Sequence, residues 1–384
     1  MRIHHVTPHF LPDRGGVESH VLRLSEFLVA RGHEVVVHTS ARSQTGASLP
    51  ETDRFDGITV RRYQPVLRLG YYLTTFHPDF SGAEVVHLHG YGLLANDWSA
   101  RRANRLGVPV VYTLHHGVAR AEPTALARAE RTIYDRLVGR RTLSLASGII
   151  TANDADRRWL ETRGIPGVRI RVIPTGLEAD AFEAGVPARA RDALGLGRYV
   201  LYVGRLQKEK SVDTLLRAFA TLPPGGVSLV LAGPDGGEGA RLRALAASLG
   251  IQARVRFLGE VDEATKRDLL AGCEVLVLPS FYEAQGIAIL EAWAQGRPVI
   301  ASRVGGVREL VEDGRDGLLV PWGDVQALAG RLRQILGDPN LGTALGDAGV
   351  TKARERYAWS RLAPEVEAVY ESLIRPAPAQ AGNA

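Results

Sequence analysis

The chain has 384 residues, more than one hydrophobic core usually holds, so two domains are expected. Hydrophobic residues at 45% and charged residues at 23% are ordinary for a globular protein, and the single cysteine, Cys273, excludes a disulfide framework and reads as a buried thiol. The net charge of +5 falls in the N-terminal half, whose basic residues are all arginine; it suits an anionic ligand or an acidic membrane surface, and the lack of a basic cluster interleaved with aromatics argues against nucleic acid.

Strand-like residues begin at Arg2 and no apolar run is long enough to cross a membrane, so a soluble cytoplasmic protein is expected. Residues 2–7 read as a buried strand, followed by a loop ending in Gly15-Gly16. A helix from Val17 to Ala30 carries Val21, Leu24, Phe27 and Leu28 on one face, Gly32 caps it, and His33–Thr39 is the next strand. This βαβ unit is that of a parallel sheet. Further strands are expected at Ile58–Tyr63, Glu84–His89, Pro109–His115, Gly148–Ala152 and Arg169–Ile173. Helices are expected at Leu93–Leu106, Glu122–Leu143 and Asp156–Thr162, and an aromatic-rich loop at Gly70–Phe80. Gly, Pro and Ala cluster at 184–198, which reads as the linker. The βαβ pattern then restarts, with strands at Tyr199–Val203, Ser228–Ala232, Arg254–Leu258, Val275–Leu278, Val299–Ala301 and Leu318–Val320. Helices fill 324–337, 340–356 and Trp359–Ile374, and the tail 376–384 is expected to be disordered. Two doubly wound domains follow, 1–186 and 187–358, with ligand sites at the carboxyl ends of their strands and a cleft between them.

The stretch 278–302, LPSFYEAQGIAILEAWAQGRPVIAS, is a strand–loop–helix–strand unit with two carboxylates at its ligand-facing end. Glu283 and Glu291 are eight positions apart, about 12 Å along a helix axis. Between them the amides of Gly286, Ile287 and Ala288 open a helix and favour an anion. Carboxylate, anion site, carboxylate matches the order of a nucleotide-sugar: sugar hydroxyls, diphosphate, ribose hydroxyls. On spacing alone, a solvated loop charge and an ordinary helix-surface residue explain the two glutamates equally well.

At the start of the second domain, Arg205 and Lys210 flank a strand end and could neutralise a diphosphate. Gly15-Gly16 opens a helix where backbone can approach a phosphate, but it is not GxGxxG, which disfavours a nicotinamide dehydrogenase. All 11 histidines lie between His4 and His116. His9, His89, His115 and His116 fall at strand carboxyl ends and are candidates for the cleft. His-x-His at 87–89 suggests a metal, yet no cysteine accompanies it and the helical His-plus-Glu spacing is missing, so no metal is expected. Asp154-Ala155-Asp156 reads as a helix cap with Asn153 or Asp154, and Gly233–Gly239 as a βα turn without the Lys-Ser/Thr of a P-loop.

Together these segments resemble the retaining GT-B glycosyltransferases called family 4. The resemblance runs through GGVESHVLRLSEFLVARGHEVVVHT, VVYTLHHG, VIPTGLEADAF, YVGRLQKEKSVDTLLRAF, PSFYEAQGIAILEAWAQGRPVIAS, GLLV and YAWSRLAPEVEAVY. It implies two Rossmann-like domains facing a cleft, with the final helix from about Trp359 crossing back to the first. It implies that Glu291 holds the ribose, Glu283 the donor sugar, Arg205 and Lys210 the diphosphate, with Gly16 at the donor phosphate and His115 near the donor sugar. Gln285 stands where the family usually has Phe, Ser211 where it has Gly, and Asn153 where Ser is common, which puts donor-sugar preference at Gln285 in question. The N-terminal segment is also similar to transferases that add N-acetylglucosamine to phosphatidylinositol.

The expected function is retaining, metal-independent transfer of a hexose from a UDP- or GDP-linked sugar to a lipid, glycan or small-molecule acceptor. No cofactor is expected beyond this co-substrate. The alternative is a nucleotide-sugar-binding protein without transfer activity. Arg128, Arg131, Arg136, Arg140 and Arg141, with Tyr134 and Leu137 among them, read first as a solvated helix face; a peripheral contact with the inner membrane face is the second reading.

Overall fold

In a computed structural model the chain divides into two compact units, Met1–Pro174 joined by the segment from Ala363, and Thr175–Leu362. The structure describes residues 1–13, 15–66, 74–115 and 125–374, without the side chains at 125–128 and 130. His116, residues 70–73 of the aromatic-rich loop and the tail 376–384 lie outside the described residues.

The first unit is built on an eight-stranded sheet in the order Thr52–Phe55, Ile58–Tyr63, Glu34–Ser40, Arg2–Val6, Val85–His89, Val110–Thr113, Gly148–Thr151, Ile170–Val172. All neighbours are parallel except the first pair. The central strands are near-continuous runs of Val, Ile, Leu and His because helices cover both faces. The edge strand Thr52–Phe55 is not among the expected elements, since TDRF is polar and short. Its signal is the turn: Asp56 and Gly57 both take positive φ, 43° and 86°, as a two-residue hairpin requires.

The expected helix 122–143 is interrupted. From Ala125 it runs to Tyr134, opens into a π turn at Asp135–Gly139, and resumes as Arg140–Leu145. The cause is Tyr91, whose hydroxyl donates to Asp135 Oδ1 at 2.7 Å. A Cβ on Gly139 would lie 2.0 Å from that hydroxyl, so the bulge accommodates the phenol. The final helix, Trp359–Ile374, delivers Glu367 to His33 Nε2 at 2.7 Å and Tyr370 to His87 Nδ1 at 2.6 Å.

The expected boundaries, 186/187 and 358/359, give way to 174/175 and 362/363. Residues 175–186 pack on the second unit through specific bonds. Gly185 N donates to Gln295 Oε1 at 2.9 Å and Val186 N to Asp268 Oδ1 at 2.7 Å, while Leu177 N reaches Tyr357 O at 2.7 Å. The expected linker at 184–198 instead contains the helix Pro187–Leu194, with Pro at its start and Gly195 closing it at φ 60°.

The second unit has a six-stranded parallel sheet in the order Val255–Gly259, Val227–Ala232, Arg198–Val203, Val275–Leu278, Val299–Ser302, Leu318–Val320. Its core centres on the fully buried Trp293, whose indole N–H donates to Asp316 O at 2.8 Å. Cys273 is buried, as expected. Among the described residues no helix is long and apolar enough to cross a membrane.

Candidate active site

In the second unit, the loops at the carboxyl ends of Arg198–Val203, Val275–Leu278 and Val299–Ser302 converge on Glu283. The Lys210 ammonium donates to Glu283 Oε1 at 2.6 Å, and the Ser280 hydroxyl donates to the same oxygen at 2.7 Å. The Glu283 carbonyl accepts from Gly306 N at 2.9 Å, and a Cβ on Gly305 would lie 2.1 Å from that carbonyl. Gly305 also has φ 44°, so both close approach and backbone conformation call for glycine there. Phe281 N donates to Glu209 O at 2.8 Å, which ties the Lys208–Lys210 turn to the glutamate loop. Arg205 stands exposed in the same turn region.

The helix Ile287–Ala294 begins at Gly286, whose φ of 89° excludes most other residues. No side chain caps this helix, so its first amides have no side-chain acceptor. Glu291 follows on the same helix. It is partly buried, and its Oε1 accepts from Lys266 Nζ at 2.7 Å. Lys266 also bridges to Glu263 at 2.7 Å. Burial pushes the Glu291 carboxyl up, while the Lys266 charge pulls against that shift. Burial likewise works against the Lys266 ammonium, but Glu291 and Glu263 hold its pKa above the usual value.

Lys266 was not singled out from the sequence, although a signal exists. Only four lysines occur in the chain, and outside the 208–210 turn both others meet a carboxylate: Lys266 with Glu291, and Lys352 with Asp316 at 2.7 Å. Removing Lys266 leaves Glu291 half-buried without its counter-charge. Lys266→Met is therefore expected to weaken nucleoside binding, and to weaken it more steeply on acidification than in the wild type, because the Glu291 carboxyl then takes up a proton more readily. Isothermal titration with the nucleoside across pH checks this, and parallel pH profiles would refute the pairing's role. Glu291→Gln is expected to weaken the nucleoside at all pH values.

Gln285 requires a correction. Expected beside the anion site with an influence on sugar choice, it is buried with its amide oxygen and nitrogen both engaged by the backbone of Thr175. Its Oε1 accepts from Thr175 N at 2.7 Å and its Nε2 donates to Thr175 O at 2.7 Å. The side chain pins residue 175 to the glutamate loop and does not present a polar group to a ligand. Ser211 has φ 49°, the left-handed region that glycine adopts without cost, which accounts for the glycine usual at this position. The Trp322 indole N–H donates to Ser211 Oγ at 3.0 Å and holds it there.

In the first unit, Gly15 precedes the helix Gly16–Ala30. A Cβ on Gly15 would meet the Glu18 carboxylate at 2.5 Å, whereas a Cβ on Gly16 would meet nothing within 4 Å. His9 lies 3.4 Å from Asp13 in the loop after the first strand. His89 Nδ1 and His115 Nε2 are 2.9 Å apart, and His89 Nε2 is 2.9 Å from His5 Nδ1. The structure thus brings His89 and His115 into one cluster with His5, and places His9 in a separate pair. Asn153 is the cap of Asp154–Glu161: its carbonyl oxygen accepts from Asp156 N at 2.8 Å and its amide donates to Asp156 Oδ2 at 2.9 Å. At Gly233–Gly239 the Asp235 carboxylate accepts from Gly237 N and Gly239 N, closing the turn on itself.

Two family models match the chain: "Glycosyl transferases group 1" over residues 191–352 and "Glycosyltransferase Family 4" over residues 14–181. A D-inositol 3-phosphate glycosyltransferase of Acidothermus cellulolyticus is 33% identical over 96% of this chain and 89% of its own length. The chain belongs to the family 4 glycosyltransferases. A protein of the same name from Mycobacterium avium is 32% identical to this glycosyltransferase, over 94% of the chain and 90% of the relative. Among solved structures, sucrose-phosphate synthase from Thermosynechococcus elongatus superposes with a TM-score of 0.81 at 25% identity, over 97% of this chain and 98% of that one. Anabaena HepE in complex with UDP superposes at 0.77 and 20% identity, over 97% of this chain and all of the other. The glycosyltransferase has the GT-B fold, with two Rossmann-like parallel sheets.

Proposed function

We propose that this glycosyltransferase moves a hexose, with retention, from a UDP- or GDP-linked sugar to a phosphorylated inositol. The observation that carries the donor half is the arrangement along one helix in the second unit. Glu283 with Lys210 lies before the helix, uncapped amides follow at Gly286–Ala288, and Glu291 with Lys266 follows those. A diphosphate fits the amides and the cations Arg205 and Lys210, with sugar hydroxyls at Glu283 and ribose hydroxyls at Glu291. The inositol phosphate acceptor follows from the relatives' names.

Leaving-group charge on the diphosphate is stabilised by Arg205, Lys210 and the helix amides, with no metal in the step. Attack from the face of the departing phosphate preserves configuration, and that phosphate takes the acceptor's proton. A thermal-shift panel of UDP, GDP and ADP, each with and without sugar, identifies the donor, and nucleotide release with D-inositol 3-phosphate tests the acceptor. The expected result is stabilisation by one nucleotide family and acceptor-dependent release of product without added metal. Tight donor binding with no turnover on any acceptor would favour a binding protein instead.

The membrane contact is proposed in narrowed form. Arg131 is turned inward, bonded to Asp135 at 3.1 Å and set over the rings of Tyr91 and Trp159, so it does not serve. Arg136, Arg140 and Arg141 are exposed beside Ile133 and Leu137, which are 57% and 71% exposed. Co-sedimentation with vesicles is expected to require anionic lipid and to fall in Leu137→Gln; binding indifferent to lipid charge would count against this face.

A further inference from the structure

His5, His20, His87, His89 and His115 gather at the carboxyl end of the first sheet and on the helix Gly16–Ala30. Among them His20, His89 and His115 each offer a ring nitrogen, and the three atoms lie within 4.8 Å of one another. Their ring centroids are separated by 4.6 Å for His20 and His115, 5.2 Å for His89 and His115, and 5.8 Å for His20 and His89. Three imidazoles bound tetrahedrally to one ion at 2.0–2.1 Å place their centroids roughly 5 Å apart and their ligand nitrogens roughly 3.3 Å apart. The rings therefore already stand near the required spacing. The His89 Nδ1 to His115 Nε2 contact, now 2.9 Å, opens by about half an ångström on binding, and the His20 nitrogen stands within 4.8 Å of both.

The surroundings fit the same chemistry. The second nitrogen of His89 contacts His5 Nδ1 at 2.9 Å, the outer hydrogen bond that orients a metal-bound imidazole. Burial holds His20 down to about 4 and His89 well below its ordinary value, so both are neutral donors at neutral pH. No carboxylate belongs to the group, which disfavours magnesium and calcium. The other triad, His5, His87 and His89, is less apt. His87 already spends both nitrogens, on Tyr370 at 2.6 Å and Thr113 at 2.6 Å. His115 is only partly buried.

We propose that His20, His89 and His115 form a binding site for a divalent transition-metal ion of the zinc type, and that its occupancy inhibits transfer. The inhibitory half rests on the reading of His115 as a donor-sugar residue, because a bound ion takes up the His115 Nε2 nitrogen. The ion is a regulator of the reaction and not a participant in it.

The test uses the full chain stripped with a chelator and titrated with Co2+. One equivalent is expected to give the strong visible absorption of low-coordinate cobalt, displaced by Zn2+. His20→Asn is expected to lower Co2+ affinity by about 100-fold or more while leaving metal-free transfer intact. His20→Gln provides a second variant should the first fold poorly. Zn2+ is expected to inhibit the wild type, with His20→Asn needing correspondingly more. A weak octahedral cobalt spectrum in the wild type, or an unchanged spectrum in both His20 variants, overturns the site. A full spectrum without inhibition overturns the regulatory half and the His115 assignment, while the cobalt signal stands whether or not transfer is ever observed.

Discussion

Lys210→Met is expected to lower kcat by roughly 10²–10³-fold and to weaken the nucleoside diphosphate by roughly ten- to hundredfold, with little change for the nucleoside alone. The reasoning begins with the short contact between Lys210 Nζ and Glu283 Oε1, 2.6 Å in a turn whose backbone is bonded to the glutamate loop. The ammonium serves two groups: it orients the carboxylate and supplies positive charge beside the helix amides at Gly286. Methionine keeps the length of the stem and removes only the charge. Ser280 still donates to Glu283 at 2.7 Å, so the loop keeps part of its arrangement. Arg205→Ala is expected to act in the same direction and more weakly, since its guanidinium is exposed and screened. Titration calorimetry with nucleoside and nucleoside diphosphate, beside steady-state kinetics, separates these effects. Equal weakening of both ligands would show that Lys210 supports the fold of the loop and not the phosphate.

The first unit is expected to unfold on mild acidification while the second stays folded. Burial lowers His4 to about 4, His5 to about 3 and His20 to about 4, and pushes His38, His87 and His89 well below their ordinary value. In the unfolded chain each titrates near 6.5. Between those limits the unfolded state binds more protons than the folded one, so stability is full above about pH 6.5 and is lost as pH falls toward the folded pKa. At about pH 5 each such histidine costs about 2 kcal/mol, and His4, His5 and His20 together about 6 kcal/mol. Typical domain stability is about 5–15 kcal/mol, so the loss is decisive. The Thr175–Leu362 unit contains no histidine and lacks this dependence. Hydrogen exchange of the chelator-treated protein, read by peptide between pH 7 and about pH 5, is expected to show protection lost in residues 1–115 and kept in 198–320. Uniform loss in both units would refute it.

Much of this architecture was legible in the residues. The alternation of apolar runs with 3.6-period segments located nearly every strand and helix, because parallel strands buried on both faces read as continuous hydrophobic stretches. The elements that escaped were those defined by contacts. The polar strand Thr52–Phe55 exists because a hairpin turn folds it onto Ile58–Tyr63, and the π turn at Asp135 exists because Tyr91 reaches it from a distant segment.

By itself, then, the sequence determined two doubly wound units, the glycine at 286 that opens a helix, and the presence of Glu283 and Glu291 on either side of it. Only the tertiary structure decided what each polar group does. It gave Glu283 to Lys210 and Glu291 to Lys266, and it turned Gln285 away toward Thr175. It also collected histidines from positions 5, 20, 87, 89 and 115 into one cluster. The physical reason is range. Periodicity reports which face of an element is buried, over a few residues. The partner of a buried charge or imidazole is set by strand order and loop packing across tens to hundreds of residues, where no local pattern records it.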